Sequence, residues 1–181
     1  NCGKWEKRKG HDLLLEMFRA AFPEEIDVEL WMMCTNPFLS AETGFLKVRH
    51  EWERYYKSDP RVRLIDRVAT HGEVAQIMGA TNCGVFPSRA EGWNLELLEM
   101  MSMGKHVITT NYSAHTEFCD KTNARLIEIN NLEKAEDGLF FDGNSGEWAS
   151  LEGKPFTQTV EYMREFYESW KSDPNQYNKE G

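Results

Sequence analysis

Short apolar runs, closed by Pro, Gly or Asn, alternate five or six times with segments of helical period, and few folds accommodate that alternation. Residues 11–21 place Leu14, Met17, Phe18 and Ala21 on one helical stripe, which Pro23 stops. Residues 27–34 (DVELWMMC) form an apolar run between Pro23 and Asn36-Pro37, which reads as a buried strand. Across 41–57, Phe45, Val48, Trp52 and Tyr55 or Tyr56 recur at three- and four-residue steps, and Ser58-Asp59-Pro60 closes this second helix. Val62 to Ile65 reads as a strand, 72–80 as a short helix, and 83–87 as a strand ended by Pro87. A helix over about 94–103 stops at Gly104. His106 to Thr110 is β-rich, 113–120 suits a short helix, and Ala124 to Ile129 suits a strand. Over 130–155, rich in Gly, Asn, Asp and Glu with an apolar pair at Phe140-Phe141, the order weakens. The stripe Val160, Met163, Phe166, Tyr167 and Trp170 predicts a last helix over 157–170, read as core packing and not as a cofactor site.

Short buried strands with helical crossovers imply an α/β fold with a parallel sheet sandwiched by helices, Rossmann-like in plan. One such domain is expected over 1–171, followed by a polar tail over 172–181. Ligands of such sheets lie beyond the carboxyl ends of the strands. The loops 3–10, 35–40, 66–71, 88–94 and 111–114 are therefore where chemistry belongs.

Composition narrows the function. The 181 residues carry 21 Lys+Arg against 30 Asp+Glu, a net charge of -9. That balance argues against a nucleic-acid partner, because phosphate backbones are bound chiefly by Lys and Arg. A small phosphate ligand needs only a local cation or a helix N-terminus. No run approaches the roughly 18 apolar residues of a membrane span, and no signal peptide is seen. Cys2, Cys34, Cys83 and Cys119 stand far apart with no CxxC pair, so neither a zinc site nor a disulfide scaffold is expected. They read as free thiols in a reducing, cytoplasmic compartment. The opening Asn1-Cys2-Gly3, without Met, reads as part of a longer chain whose first strand is truncated.

Loop 88–94 reads Ser88-Arg89-Ala90-Glu91-Gly92-Trp93-Asn94 and runs into Leu95-Glu96-Leu97-Leu98-Glu99. Gly92 permits a sharp turn, and Asn94 is a candidate N-cap. The helix amides that follow suit an anion. On one continuous helix Glu91 and Glu99 would lie roughly 12 Å apart along the axis. If 91–94 is instead a loop over the helix mouth, both carboxylates can face one ligand, and carboxylates accept from sugar hydroxyls. Loop 3–10 supplies the opposite charge with Lys4, Lys7, Arg8 and Lys9 ahead of a helix N-terminus at His11-Asp12, an arrangement that suits a diphosphate.

The stretch PSRAEGWNLELLEMMSMGKHVITT, with Lys9-Gly10 upstream, resembles the C-terminal half of GT-B glycosyltransferases, most closely the retaining family 4 (group 1) type. Its Glu-x7-Glu motif is matched by Glu91 and Glu99. The resemblance covers most of residues 3–129 and implies a role for each position. Glu91 would bond the donor sugar, and Glu99 the ribose. Lys9, with Lys4 where this family often has Arg, would neutralise the diphosphate. Amides of Trp93, Asn94 and Leu95, next to Gly92, would contact phosphate or sugar. Arg67 and Val68 would lie near the base. Glu91 and Lys9 would carry the catalysis. The substrate would be a UDP- or GDP-linked sugar, with neither metal nor cofactor. The acceptor (a glycan, lipid or small molecule) would be held by an N-terminal domain absent from this chain, through which any membrane contact would also run. The isolated domain would then be inactive. Departures from the family pattern are Asn94 in place of a second Gly, Glu96 and His106 in place of Pro, and Asn36-Pro37 after strand two.

Blander readings stand beside these. Glu99 is also what a solvated helix face carries, and Glu91 what a helix dipole favours at its N-terminus. Lys7 and Arg8 are read as solvated. Trp93 is a sugar platform or a packing anchor. His71, His106 and His115 are read as structural or exposed, His115 being the best placed because it follows a strand-end loop. Two other functions fit the same fold: half of a sugar-nucleotide epimerase, and a degenerate non-catalytic binding module.

Overall fold

The computed structural model describes residues 1–175. Six short parallel strands form two three-stranded sheets. The first holds β1 (Cys2–Gly3), β2 (Leu30–Cys34) and β3 (Val62–Leu64), with β1 in register with Met33 and Cys34. The second holds β4 (Cys83–Phe86), β5 (His106–Thr110) and β6 (Arg125–Ile127). Asn1 joins them: its amino group donates to the Trp31 carbonyl on β2, and its side-chain amide donates to the Val85 carbonyl on β4 at 2.7 Å. The loops that follow β1 and β4 are also bonded together, Arg89 N–H to the Arg8 carbonyl at 2.7 Å. The carboxyl ends of both sheets therefore open on one side, as the alternation predicts.

Helices cover the sheets. The stripe of α1 (His11–Ala21) is wholly buried at Leu14, Leu15, Met17 and Ala21. The long α5 (Lys154–Ser172) packs against it, with Tyr167 edge-on to Phe22 at 5.5 Å. Met163, Phe166 and Tyr167 are buried, which bears out the core reading of that stripe. α2 (Leu46–Tyr56) seals the far end of α1: Trp52 stacks on Trp5, and the Tyr56 hydroxyl donates to the His11 carbonyl. α3 (His71–Gly79) opens with a capping box between Thr70 and Glu73. α4 (Leu95–Ser102) follows β4, and Gly104 takes a left-handed conformation just past it, as expected of a helix stop.

The segment 130–155 is not irregular. It contains an antiparallel ribbon, β7 (Leu132–Glu136) with β8 (Asp142–Ala149). The ribbon has a polar face, so its composition looked like loop. Its inner face is fixed by Trp148 and Ala149, both buried, and by a salt bridge from Glu133 to Arg89. Of the expected polar tail, residues 176–181 lie outside the described residues. Among the described residues no helix is long and apolar enough to cross a membrane.

All four cysteines are free thiols. Burial pushes Cys2 up to about 11 and Cys34, Cys83 and Cys119 up to about 12, so none is a ready nucleophile.

Candidate functional site

The loops after β1 and β4 meet at the open edge, and their charged residues interlock. A single 3₁₀ turn, Lys7–Lys9, carries Arg8 and Lys9 toward loop 88–94. Gly10 makes this approach possible. It sits at φ 75°, and a Cβ there would lie 2.2 Å from the Pro87 carbonyl oxygen. Glu91, Lys9 and Arg8 then converge. Lys9 Nζ lies 3.0 Å from Glu91 Oε1, and Arg8 Nη1 lies 2.6 Å from Glu91 Oε2. The Ser88 hydroxyl donates to Glu91 Oε1 at 3.0 Å. From the next loop, Ser113 Oγ accepts from the Glu91 amide at 2.9 Å. Burial pushes the Glu91 carboxyl up, but Lys9 and Arg8 outweigh it and hold the group below its ordinary value, so it stays ionised.

This geometry brings together the two residues the sequence assigned to catalysis, and it corrects the reading of loop 3–10. Arg8 is not solvated. Its guanidinium donates to Glu6, to Glu91 and to the Ala90 carbonyl. Lys7 keeps its solvent-facing position, its ammonium donating to the Glu136 carbonyl at 2.9 Å at the surface. Lys4 is exposed and stands over the Phe38 ring at 5.1 Å, apart from the Lys9–Glu91 contact. Glu96, passed over as a departure from the family pattern, lies 3.8 Å from Lys9 Nζ. The partners of Arg8 and Glu96 lie about 80 residues away in the chain, and no local pattern could have found them.

Residues 91–94 form a loop at the mouth of α4, not a helical turn. Gly92 does not supply the left-handed position: a Cβ there would meet nothing, and its φ is ordinary. Asn94 does, at φ 67°, a conformation that Asn adopts more readily than most residues. Asn94 precedes α4 but does not cap it with its side chain. Instead Asn94 Nδ2 lies 2.9 Å from His115 Nε2, a fully buried ring. Thr109 and Thr110 hydroxyls already donate to carbonyls, so His115 Nδ1 carries the proton and Nε2 accepts. Burial lowers the affinity of His115 for a second proton. His115 is thus a buried prop for the loop, as the blander reading held.

Trp93 is about half exposed and packs against Phe118 at 5.5 Å, and Leu95 is exposed at the start of α4. Glu99 is half-buried one turn into α4, on the same side of the molecule as Cys2, whose thiol feels its charge. Arg67 and Val68 occupy the loop between β3 and α3. β2 separates β3 from β1 in the first sheet, so a ligand touching this loop and the loop after β1 must reach past the end of β2. Behind these loops, Arg89 is buried and ties the parts together. It forms a fork on Asp12 (2.6 and 2.9 Å), donates to Glu133 at 2.8 Å and reaches the Lys7 carbonyl. A separate cavity of about 340 Å³ lies between β2 and β4 at the opposite, amino end. Its walls are chiefly apolar, Val28, Leu30, Val85 and Phe166 among them, and none of the candidate site residues lines it.

The two-sheet Rossmann-like domain has the fold of solved glycosyltransferase domains, and a family match accompanies that likeness. Residues 1–139 match the family described as glycosyl transferases group 1, and the chain belongs to that family. The C-terminal domain of a group 1 glycosyl transferase, LpcC from Francisella tularensis, superposes with a TM-score of 0.62 at 19% identity, covering 95% of this chain and 73% of that one. The Anabaena protein HepE, solved with UDP-glucose, gives 0.59 at 14% identity over 99% of this chain and 41% of that one. The pneumococcal O-GlcNAc transferase GtfA, solved with UDP and GlcNAc, gives 0.57 at 15% identity over 93% and 28%. The chain thus spans well under half of the two longer proteins. No curated protein sequence matches it.

Proposed function

We propose that this chain is the donor-binding half of a glycosyltransferase that moves a hexosyl group from a nucleoside diphosphate to an acceptor held by an N-terminal half. The observation that carries the reading is the meeting of Lys9 and Glu91 at 3.0 Å, at the mouth of α4. A sugar nucleotide offers what each needs: a diphosphate for the ammonium and vicinal hydroxyls for the carboxylate. The first-turn amides of α4 have no carbonyl partner within the helix and add a positive dipole end for the phosphates. Glu99 is assigned to the ribose, and the loop of Arg67 and Val68 to the base, which the separation of β3 from β1 suits. Chemistry is then stabilisation of the departing diphosphate by groups already in place, the largest contribution in catalysis of this kind. Retention at the anomeric carbon and independence of metal are part of the proposal and rest on the family resemblance.

The acceptor is outside this chain on this reading, so the domain alone should bind donor and turn over little. UDP is the first ligand to try, because HepE and GtfA were solved with it or its glucose conjugate. Calorimetry with UDP, GDP and ADP at millimolar concentration should show heat for at least one. Heat for none of them rejects the donor-site reading. Lys9→Ala should weaken the diphosphate far more than the matching nucleoside, and equal loss would remove Lys9 from the phosphate site.

A further inference from the structure

Lys9 faces two demands on the reading above. In the ligand-free domain it neutralises Glu91, yet a diphosphate must draw it away. Three carboxylates (Glu6, Glu91 and Glu96) surround the two cations Arg8 and Lys9. The Glu91 side chain is only 6% exposed. An anion so buried is costly once a partner leaves.

We infer that Arg8 is the positioning residue that holds Glu91 when Lys9 turns to the diphosphate. The geometry divides the carboxylate between the two cations. Oε2 belongs to Arg8 at 2.6 Å, and Oε1 is shared by Lys9 and Ser88 at 3.0 Å each. Arg8 is fixed at both ends. Its backbone carbonyl accepts from Arg89 N–H, and its Nε and Nη2 are held by Glu6 at 3.0 and 2.6 Å. Nη1 serves both Glu91 and the Ala90 carbonyl. With these nitrogens engaged, Arg8 is placed to act through Glu91 and not on the ligand. Lys9 has the freer contact: a flexible ammonium with a longer second approach to Glu96. Binding then exchanges one partner of Glu91 and keeps the other, so its carboxylate stays aimed where the sugar enters.

This inference rests on the donor-site reading, and the test separates the two. UDP affinity is measured by calorimetry for the wild type, Arg8→Gln, Glu91→Gln and the double variant. Arg8→Gln should weaken UDP about tenfold or more, because Glu91 then competes for Lys9 and is stranded when it leaves. Glu91→Gln should bind UDP at least as tightly as the wild type. The double variant should return to within about threefold of Glu91→Gln, since no carboxylate remains to be held. A double variant as weak as Arg8→Gln would make Arg8 a direct phosphate contact and overturn the inference, as would an Arg8→Gln indistinguishable from the wild type. A wild type that binds no UDP, GDP or ADP overturns the donor reading and this inference together. If Arg8→Gln does not fold, Arg8→Lys serves: a smaller loss, again reversed by Glu91→Gln, is expected, and a loss that Glu91→Gln leaves in place contradicts the inference.

Discussion

Gly10 and Arg89 show how single residues set the site. Gly10 lets the turn after β1 close against the end of β4, with its absent Cβ replaced by a carbonyl oxygen. Gly10→Ala combines a left-handed φ with a backbone clash and should cost more than about 2 kcal/mol, read as a lower urea midpoint. Gly3 acts in the same loop: a Cβ there would lie 2.8 Å from Lys9 Cε, so Lys9 packs down on that glycine and turns its ammonium to Glu91. Asn94 takes the left-handed conformation in the loop where Gly92 was expected to permit a sharp turn, and its side chain finds His115 on the next strand-end loop. A short amide accepts this αL conformation better than other side chains. That Lys9 and Glu91 belong to one site was an expectation from a pattern along the chain, and the structure puts them in contact. The places of Arg8 and Glu96 were not legible in that pattern, because each is defined by a partner brought near only by the parallel sheet.

Elements with a strong period were legible and elements without one were not. α1 and β5 match their expected limits, since an apolar stripe or run decides both. β2 is shorter than the expected 27–34, starting at Leu30, because Asp27 and Glu29 keep the run's start at the surface. α2 begins at Leu46 where 41 was expected, the preceding residues being taken by turns around Thr43. The β7–β8 ribbon escaped notice because its order comes from outside it. Arg89 supplies that order, bonding Glu133 and stacking on Trp148 at 5.9 Å while its fork holds Asp12 at the start of α1. The residue is 97% buried at its side chain by the same contacts. Arg89→Ala leaves Asp12 and Glu133 without their cation and should cost about 3–5 kcal/mol. Hydrogen exchange should then show β7–β8 losing protection first. Equal loss across all strands would mean that Arg89 does not anchor the ribbon in particular.

At the scale of the molecule, an acidic chain brings Arg8 and Lys9 together where two loops meet, and two buried histidines tie its stability to pH. Burial holds His11 far below its ordinary 6.5, with Lys9 and Arg8 adding to the effect, and burial lowers His115 as well. Both are neutral in the folded protein. At these two positions the unfolded chain takes up protons below about pH 6.5 more readily than the folded chain, so stability is lost as pH falls through that range. Between pH 7 and 5 the loss should be on the order of 2 kcal/mol for a histidine as deeply buried as His11. Urea melts at pH 7, 6 and 5 should show it, and His11→Asn should flatten the slope. A slope unchanged by His11→Asn would assign the acid sensitivity elsewhere.

The central claim is that a sugar nucleotide binds across the carboxyl ends of β1 and β4, between the Lys9 turn and the mouth of α4. Amide chemical shifts of the isotope-labelled domain, followed as UDP-glucose is added, test it most directly. The account predicts the largest shifts at Arg8 to His11 and at Glu91 to Leu97, with smaller ones at Arg67 and Val68. Shifts confined to the apolar cavity around Val28 and Val85, or none at saturating ligand, would contradict it.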